Sequence, residues 1–393
     1  MICRICKSKQ IVEVVNLGRQ PLANKYPKNI KELKNEKKFN LSVLFCKKCK
    51  SAQIKKIINR NILFEEYYYL SSVNKKLKEH FIKLAKKIKK FNFVVDIGSN
   101  DGILLEPLKK LNVKAVGIDP SINVGKIAND KGLETFIGFF DNKIINKITK
   151  KYTKPDLIVA SSVVTHLEDP IKFAKNIKKF LQDDGTLIIE IEYLKNFIQN
   201  LEYERFYFDR PFYYSAHSIA KLFSNFDMKL YDIEIIDAHG GSLRCFIKNS
   251  KNCKITKRCY KIFESERENL NLQSFRRFNT EIYKNSKILK QNLKNYNKVG
   301  LNVIGYGAPA RVSTITNYTK INSDLINYII DDSPLKQGRF SPGMHIKILP
   351  RKKNINNKIN IVIVFAYEYF KDIKKHFKDK KIKFYKPIPF GKL

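Results

Sequence analysis

From Phe93 onward, continuous apolar runs alternate with amphipathic stretches. FVVDI, VKAVGID, PDLIVASSVV and GTLIIEIEYL are apolar on both alternating faces, the pattern of strands buried inside a parallel sheet. Between them, LLEPLKKL and EDPIKFAKNIKKFL carry apolar residues at helical spacing. Strands alternating with helices predict an α/β architecture. KLYDIEIIDAHGGSLRCFIKNS then reads as an antiparallel strand pair around HGG. Residues 254–297 are polar, helix-patterned and free of Gly and Pro, which predicts one long helix or a broken pair. Past it, NVIGYGAPARVSTITNYTKI gives a strand, a turn at Gly305 and Gly307, and a helix. INYIIDDSPLKQGRFSPGMHIKI and NIVIVFAYEYF extend this into a second parallel unit. The expected division is a head over 1–60, a central domain over 61–253, and a helical linker with a last domain over 254–393.

The head carries two knuckles, CRIC (Cys3, Cys6) and CKKC (Cys46, Cys49). Each places two thiolates on one tight turn, and two such turns complete a tetrahedral zinc site. Four thiolates leave no open coordination position, so the metal is expected to build the fold. Cys245, Cys253 and Cys259 lack such pairing and read as ordinary core or surface residues.

The central domain opens with VDIGSNDG, where an apolar run ends in Asp96, Gly98 and Gly102 and a helix follows. This is the first β-α turn of a nucleotide-binding sheet. The second strand ends in Asp119, an acid placed to accept from both hydroxyls of a ribose. G-x-G-x-x-G is absent, and Asp96 stands two residues before the first glycine. A carboxylate there repels a pyrophosphate and suits the ammonium of a methionine moiety. S-adenosylmethionine is therefore the expected cofactor, against NAD, with Asp96, Gly98, Asn100, Gly102, Asp119 and Ser161 as its contacts. The expected fold class is a class I methyltransferase (Rossmann-like) sheet, with the zinc-binding subdomain before it and a second Rossmann-like domain after it.

The net charge of +39 raises nucleic acid as a partner. The basic residues are mostly Lys and are spread over the whole chain, whereas base-reading proteins concentrate Arg. No nucleic-acid ligand is expected, and the charge suits a phosphorylated substrate. No apolar run approaches the length of a membrane span, and the N-terminus opens on a Cys pair without a secretory apolar region. A cytoplasmic monomer is the expectation.

Together these segments resemble the nucleotide-sugar C-methyltransferases. The resemblance covers essentially the whole chain and rests on the CxxC/CxxC head, EEYYYLSSV, VDIGSNDG, VVTHLEDP, HGGSLR, GYGAPA and DDSPLKQGRFSPGMHI, in that order. It implies a zinc head, an S-adenosylmethionine domain, and a last domain that closes over a sugar nucleotide without binding NAD. It also implies deprotonation of a carbon beside a keto group, then methylation of that carbon, in polysaccharide or deoxysugar synthesis. The resemblance places the base in a Y-H-E-H segment, which aligns with Tyr207, Phe208, Asp209 and Arg210. Arg cannot act as a base near neutral pH.

Other candidates for proton transfer are His166, His239, Tyr207 and Tyr69, the tyrosines on condition that Arg210 depresses their pKa values. Arg210 either holds an anionic acceptor or an enolate oxygen, or pairs with Asp209 or Glu204. Ser242, Arg244, Lys336 and Arg339 are the expected phosphate or sugar contacts. The alternatives are transfer to an oxygen or to another anionic acceptor, and a non-catalytic protein that binds sugar nucleotides or nucleic acid.

Overall fold

In a computed structural model the described residues are 1–59, 63, 75–249, 253–352, 354–355, 358–379 and 381–393, with the side chain of His239 excepted. They build three sheets. In the head, β1 (Ile11–Pro21), β2 (Lys38–Cys46) and β3 (Ala52–Ile54) pair antiparallel.

The central sheet contains β4 (Phe93–Ile97), β5 (Lys114–Asp119), β6 (Thr135–Ile137), β7 (Leu157–Ser161) and β8 (Thr186–Glu192), all parallel. The short strand β9 (Phe212–Tyr213) leaves this sheet and pairs with β3, so the head's sheet takes its fourth strand from beyond residue 60. β10 (Lys229–Ile236) and β11 (Ser242–Lys248) form the expected antiparallel pair, and β11 lies antiparallel to β8. The order is β10-β11-β8-β7-β4-β5-β6, the α/β sheet of a class I methyltransferase. Pro170–Phe180 shows how the sequence sets these helices. Asp169 caps it by accepting from Lys172 N, Pro170 stands in its first turn, and Phe173, Ala174, Ile177 and Phe180 are buried.

The linker is a broken pair of helices, α1 (Lys257–Asn269) and α2 (Leu272–Lys298). The break falls at Asn271, which caps α2 through a reciprocal bond with Ser274. The last sheet has β12 (Val303–Tyr306), β13 (Ile329–Ile330), β14 (Ile348–Leu349), β15 (Ile361–Val364), β16 (Lys383–Pro387) and β17 (Phe390–Lys392), in the order β14-β13-β12-β15-β16-β17. It is parallel except for β17, and helix α3 (Arg311–Thr319) follows β12.

One apolar cluster stitches these parts together. Val15, Leu17 and Phe45 of the head meet Tyr203, Phe206 and Phe208, then Phe275 and Phe278 of α2, then Ile315 and Ile363 of the last domain. Among the described residues no helix is long and apolar enough to cross a membrane.

Candidate active site

The two Cys knuckles are near-copies. Cys3 N donates to Ser8 O and Lys7 N to Cys3 O; Cys46 N donates to Ser51 O and Lys50 N to Cys46 O. Lys7 and Lys50 both take positive φ, which turns the chain back sharply. The sulfurs of Cys3 and Cys49 lie 3.7 Å apart, those of Cys6 and Cys46 3.5 Å, and all four fall within 4.8 Å of one another. Ligands about 2.3 Å from a tetrahedral zinc stand about 3.8 Å apart, while a disulfide needs about 2.05 Å. The geometry fits a closed zinc site and not two disulfides.

At the C-terminal ends of β4 and β5, Gly98 and Gly102 have φ of +76° and +84°. A Cβ on Gly98 would stand 2.3 Å from Val163 Cγ2, and one on Gly102 2.4 Å from Leu133 Cδ1. Asp119 holds the turn: its Oδ2 accepts from Asn100 N and its Oδ1 from Ser121 N, both at 2.9 Å. Burial raises the Asp119 pKa, and these amides oppose the rise. Burial, then the charges of Asp119 and Glu190, pushes Asp96 well above the usual carboxylate range. A buried acid beside two others is suited to a cation, and the ammonium of S-adenosylmethionine supplies one. Asp119 retains lone pairs for ribose hydroxyls. The donor set therefore fits the expected cofactor. Asp119→Ala should weaken S-adenosylmethionine binding by about 1.5–3 kcal/mol; calorimetry on the folded variant checks this, and unchanged affinity would remove Asp119 from the site.

Ser161 does something the sequence did not indicate. Its hydroxyl donates to Glu190 Oε2 at 2.8 Å, and Glu190 also meets His80 Nε2 at 2.9 Å and Arg244 Nε at 2.6 Å. Burial alone would raise Glu190, but His80, Arg244 and Ser161 outweigh it and hold the pKa at about 2. Arg244 was expected to meet a phosphate. Instead its guanidinium is buried between Glu190 and Glu234, because register pairs Arg244 with Glu190 across β11 and β8. Ser242 donates to Ala238 O within its own turn.

The aromatic wall begins with a one-turn 3-10 helix, Tyr203–Arg205. Phe208, aligned with a histidine of the resembling family, is buried and meets Phe39 of the head edge-on at 5.9 Å. Arg210 pairs with neither Asp209 nor Glu204. Its partner is Glu192 at the end of β8, at 2.5 Å, with Glu192 almost fully buried. Burial lowers the Arg210 pKa, but the Glu192 charge more than restores it, so Arg210 remains a cation.

Tyr207 lies under the Arg210 guanidinium, 5.1 Å from ring centroid to Cζ. Burial raises the tyrosine pKa and outweighs the lowering by the Arg210 charge, so the condition for Tyr207 to act as a base is not met. Asp209 Oδ2 accepts from Asn24 Nδ2 at 2.6 Å, while Oδ1 has no hydrogen-bond partner among the described residues. His166, on the one-turn helix Val164–His166 after β7, donates from Nδ1 to Asp209 O at 2.6 Å. That bond leaves the lone pair on Nε2. Burial, then the charge of Arg210, lowers its pKa to about 4, so it is neutral at pH 7.

His166, Tyr207, Asp209 and Arg210 are thus brought together. Lys336 and Arg339 are elsewhere, around Tyr26: Lys336 Nζ and Tyr26 Oη donate to Ala308 O at 2.9 and 2.8 Å, and Arg339 Nη1 to Tyr26 O at 3.3 Å. His239 lies on the turn Ala238–Gly240, whose Gly240 abuts Arg205. Tyr69, with all of EEYYYLSSV, lies outside the described residues.

Glu190, Glu192, Asn24 and Tyr26 were missed. For the two acids a signal existed, since LIIEIE sets carboxylates two apart, on one face of an otherwise apolar strand. Arg210→Ala should destabilise the protein by about 3–5 kcal/mol by removing the cation that faces the buried Glu192 carboxylate, whereas combining Arg210→Met with Glu192→Leu should cost far less. Urea unfolding of the three proteins checks this.

Three family models match consecutive stretches of the chain: "Putative zinc binding domain" over residues 3–64, "Methyltransferase domain" over 69–233, and "C-methyltransferase C-terminal domain" over 237–389. C-methyltransferase NovU of Streptomyces niveus is 25% identical over 399 residues, covering 98% of this chain and 95% of that protein. The mitochondrial ubiquinone biosynthesis O-methyltransferase of Bos taurus is 32% identical over 103 residues, 24% of this chain and 27% of that one. Among solved structures, magnesium protoporphyrin IX methyltransferase from Synechocystis PCC 6803 with bound SAM is 13% identical. It covers 44% of this chain and 79% of its own, at a TM-score of 0.33.

Proposed function

We infer that this chain, an S-adenosylmethionine-dependent methyltransferase homologous to the C-methyltransferases, methylates a carbon beside a keto group on a nucleotide-linked sugar. The observation that carries the reading is the likeness to a C-methyltransferase along nearly the full length of both chains. The charge of +39 and the ordered run of motifs from VDIGSNDG to DDSPLKQGRFSPGMHI support a phosphorylated sugar as acceptor. A role in polysaccharide or deoxysugar synthesis in the cytoplasm follows from that acceptor.

When bound, S-adenosylmethionine supplies an electrophilic methyl group. Asp96 holds its ammonium and Asp119 its ribose. His166 takes the proton from the acceptor carbon at Nε2, with its ring fixed by the Nδ1–H bond to Asp209 O. Burial keeps that imidazole neutral and ready to accept. Asp209 Oδ1, buried without a partner among the described residues, accepts from a sugar hydroxyl. Arg210 and Glu192 form the charged floor of the wall. Because Glu192 already neutralises Arg210, the pair gives no reason to expect a different, anionic acceptor.

Transfer to a hydroxyl oxygen is a second reading, favoured by one observation: the aligned base position carries Arg210. Labelled S-adenosylmethionine with a panel of 4-keto nucleotide sugars, followed by deuterium exchange at the carbon beside the ketone, separates the two. Carbon methylation with exchange supports the first reading; oxygen methylation without exchange overturns it.

A further inference from the structure

On one face of the central sheet, polar residues stand in a row that ends at the cofactor turn, and strand register sets that row. Glu234 of β10 faces Arg244 of β11, Arg244 faces Glu190 of β8, and Glu190 faces Ser161 of β7. Val159, two residues before Ser161, faces Asp96 of β4. Opposed residues, and residues two apart on a strand, share a face, so all these polar side chains do. The helix Lys75–Ile88 covers that face: its Leu77, Leu84 and Ile88 cluster with Val94, Val159, Ile188 and Phe246. Two of its polar side chains reach the row. Lys87 pairs with Glu234, and His80 donates from Nε2 to Glu190 Oε2 at 2.9 Å.

Glu190 is the charged end of this row nearest the cofactor turn. Its Oε2 accepts from His80 and Ser161 and its Oε1 from Arg244, and only 4% of the residue is exposed. Those donors hold it ionised. The charge is felt at the turn, where it adds to burial and Asp119 in raising Asp96. Such a network is not needed for stability, because apolar residues of similar volume commonly serve as well. A fixed carboxylate suits a neighbouring ligand that carries positive charge.

Asp96 and Glu190 differ in which charge of the ligand they can read. The ammonium that suits Asp96 is common to S-adenosylmethionine and to its product, S-adenosylhomocysteine. Only the sulfur differs, a sulfonium cation before transfer and a neutral thioether after it. The methyl group must be delivered toward His166 and Arg210. His166 follows β7, and Arg210 pairs with Glu192 at the end of β8, so both stand past the strands that carry Ser161 and Glu190. The charge lost in the reaction is therefore on the Glu190 side of the site.

We propose that Glu190, fixed by His80, Arg244 and Ser161, is a specificity-determining residue whose carboxylate makes the site hold the sulfonium S-adenosylmethionine more tightly than neutral S-adenosylhomocysteine. The consequence is easy exchange of spent cofactor for fresh after each turnover. Glu190 acts on the cofactor and not on the acceptor, so binding measured without any acceptor is the test.

Calorimetry on the full chain compares S-adenosylmethionine, S-adenosylhomocysteine and sinefungin, in which an amine-bearing carbon replaces the sulfonium. The wild type should bind both cationic ligands about tenfold tighter than the thioether, the size of one charge pair inside a protein. Glu190→Gln keeps the shape and loses the charge. It should remove most of that preference and leave S-adenosylhomocysteine affinity nearly unchanged. Glu190→Asp keeps the charge and should keep the preference. Glu190→Leu combined with Arg244→Met replaces the pair by apolar side chains; it should lose the preference too, and it stands in if Glu190→Gln does not fold. Equal or tighter binding of S-adenosylhomocysteine by the wild type overturns the proposal. So does a folded Glu190→Gln protein that keeps the preference or weakens all three ligands equally, and so does loss of the preference in Glu190→Asp. Failure of the carbon-methylation reading would leave this preference standing, and loss of the preference would leave that reading untouched.

Discussion

Replacing Cys46 by Ser should remove the metal and most of the soluble protein together. The four sulfurs lie within 4.8 Å of one another, a spacing that only a shared cation makes favourable once they are ionised. Binding at such a site contributes about 10–16 kcal/mol of apparent free energy at pH 7 in small zinc domains, comparable to the whole stability of a domain. The damage should not stay in the head. Cys49 O accepts from Ser215 Oγ, and β3 pairs with β9 inside the aromatic wall, so losing the knuckles loosens the segment that carries Asp209 and Arg210. Metal analysis of purified protein and circular dichroism after chelation check this. Full folding and one equivalent of retained zinc in the Cys46→Ser protein would refute it.

His166→Ala should lower kcat about 10²–10⁴-fold, the usual worth of a general base. S-adenosylmethionine affinity should hardly change, because the Nδ1 bond that fixes the ring is to Asp209 O on the wall. The pH dependence separates catalysis from packing. His166 has a pKa of about 4 in the folded protein, below its ordinary value near 6.5. Between those values the unfolded chain binds the extra proton, so wild-type stability should fall as pH drops from about 6.5 to about 4. His166→Gln should flatten that part of the stability profile. It should still be inactive at pH 7, where the wild type is on its plateau. A variant with normal kcat at pH 7 would assign the proton transfer elsewhere, and His239 would be the next residue to change.

What the sequence disclosed and what it withheld divide along a physical line. Apolar runs, the glycine turn and the CxxC spacing are local, and they carried the sheet, the cofactor turn and the metal ligands. Partnerships across the fold are not local. Arg210 offered Asp209 and Glu204 as nearby acids, yet its partner sits on β8, brought in by the parallel sheet. Arg244 looked like a phosphate ligand because HGGSLR is a short polar turn. Only the registers of β11 with β8 and with β10 show that Glu190 and Glu234 flank it. Tyr26 and Asn24 sit in an undistinguished stretch, LANKYP, and join the wall to the last domain through single hydrogen bonds.

The strand exchange at β9 also sets an order of events during synthesis. At about 5–20 residues per second, both Cys knuckles have been made and can close on a metal well before the wall exists. The head's sheet then waits with an open edge at β3 until Phe212 and Tyr213 arrive from the far side of the central sheet. Until that moment the nascent chain presents an unpaired strand edge, the kind that templates wrong pairings.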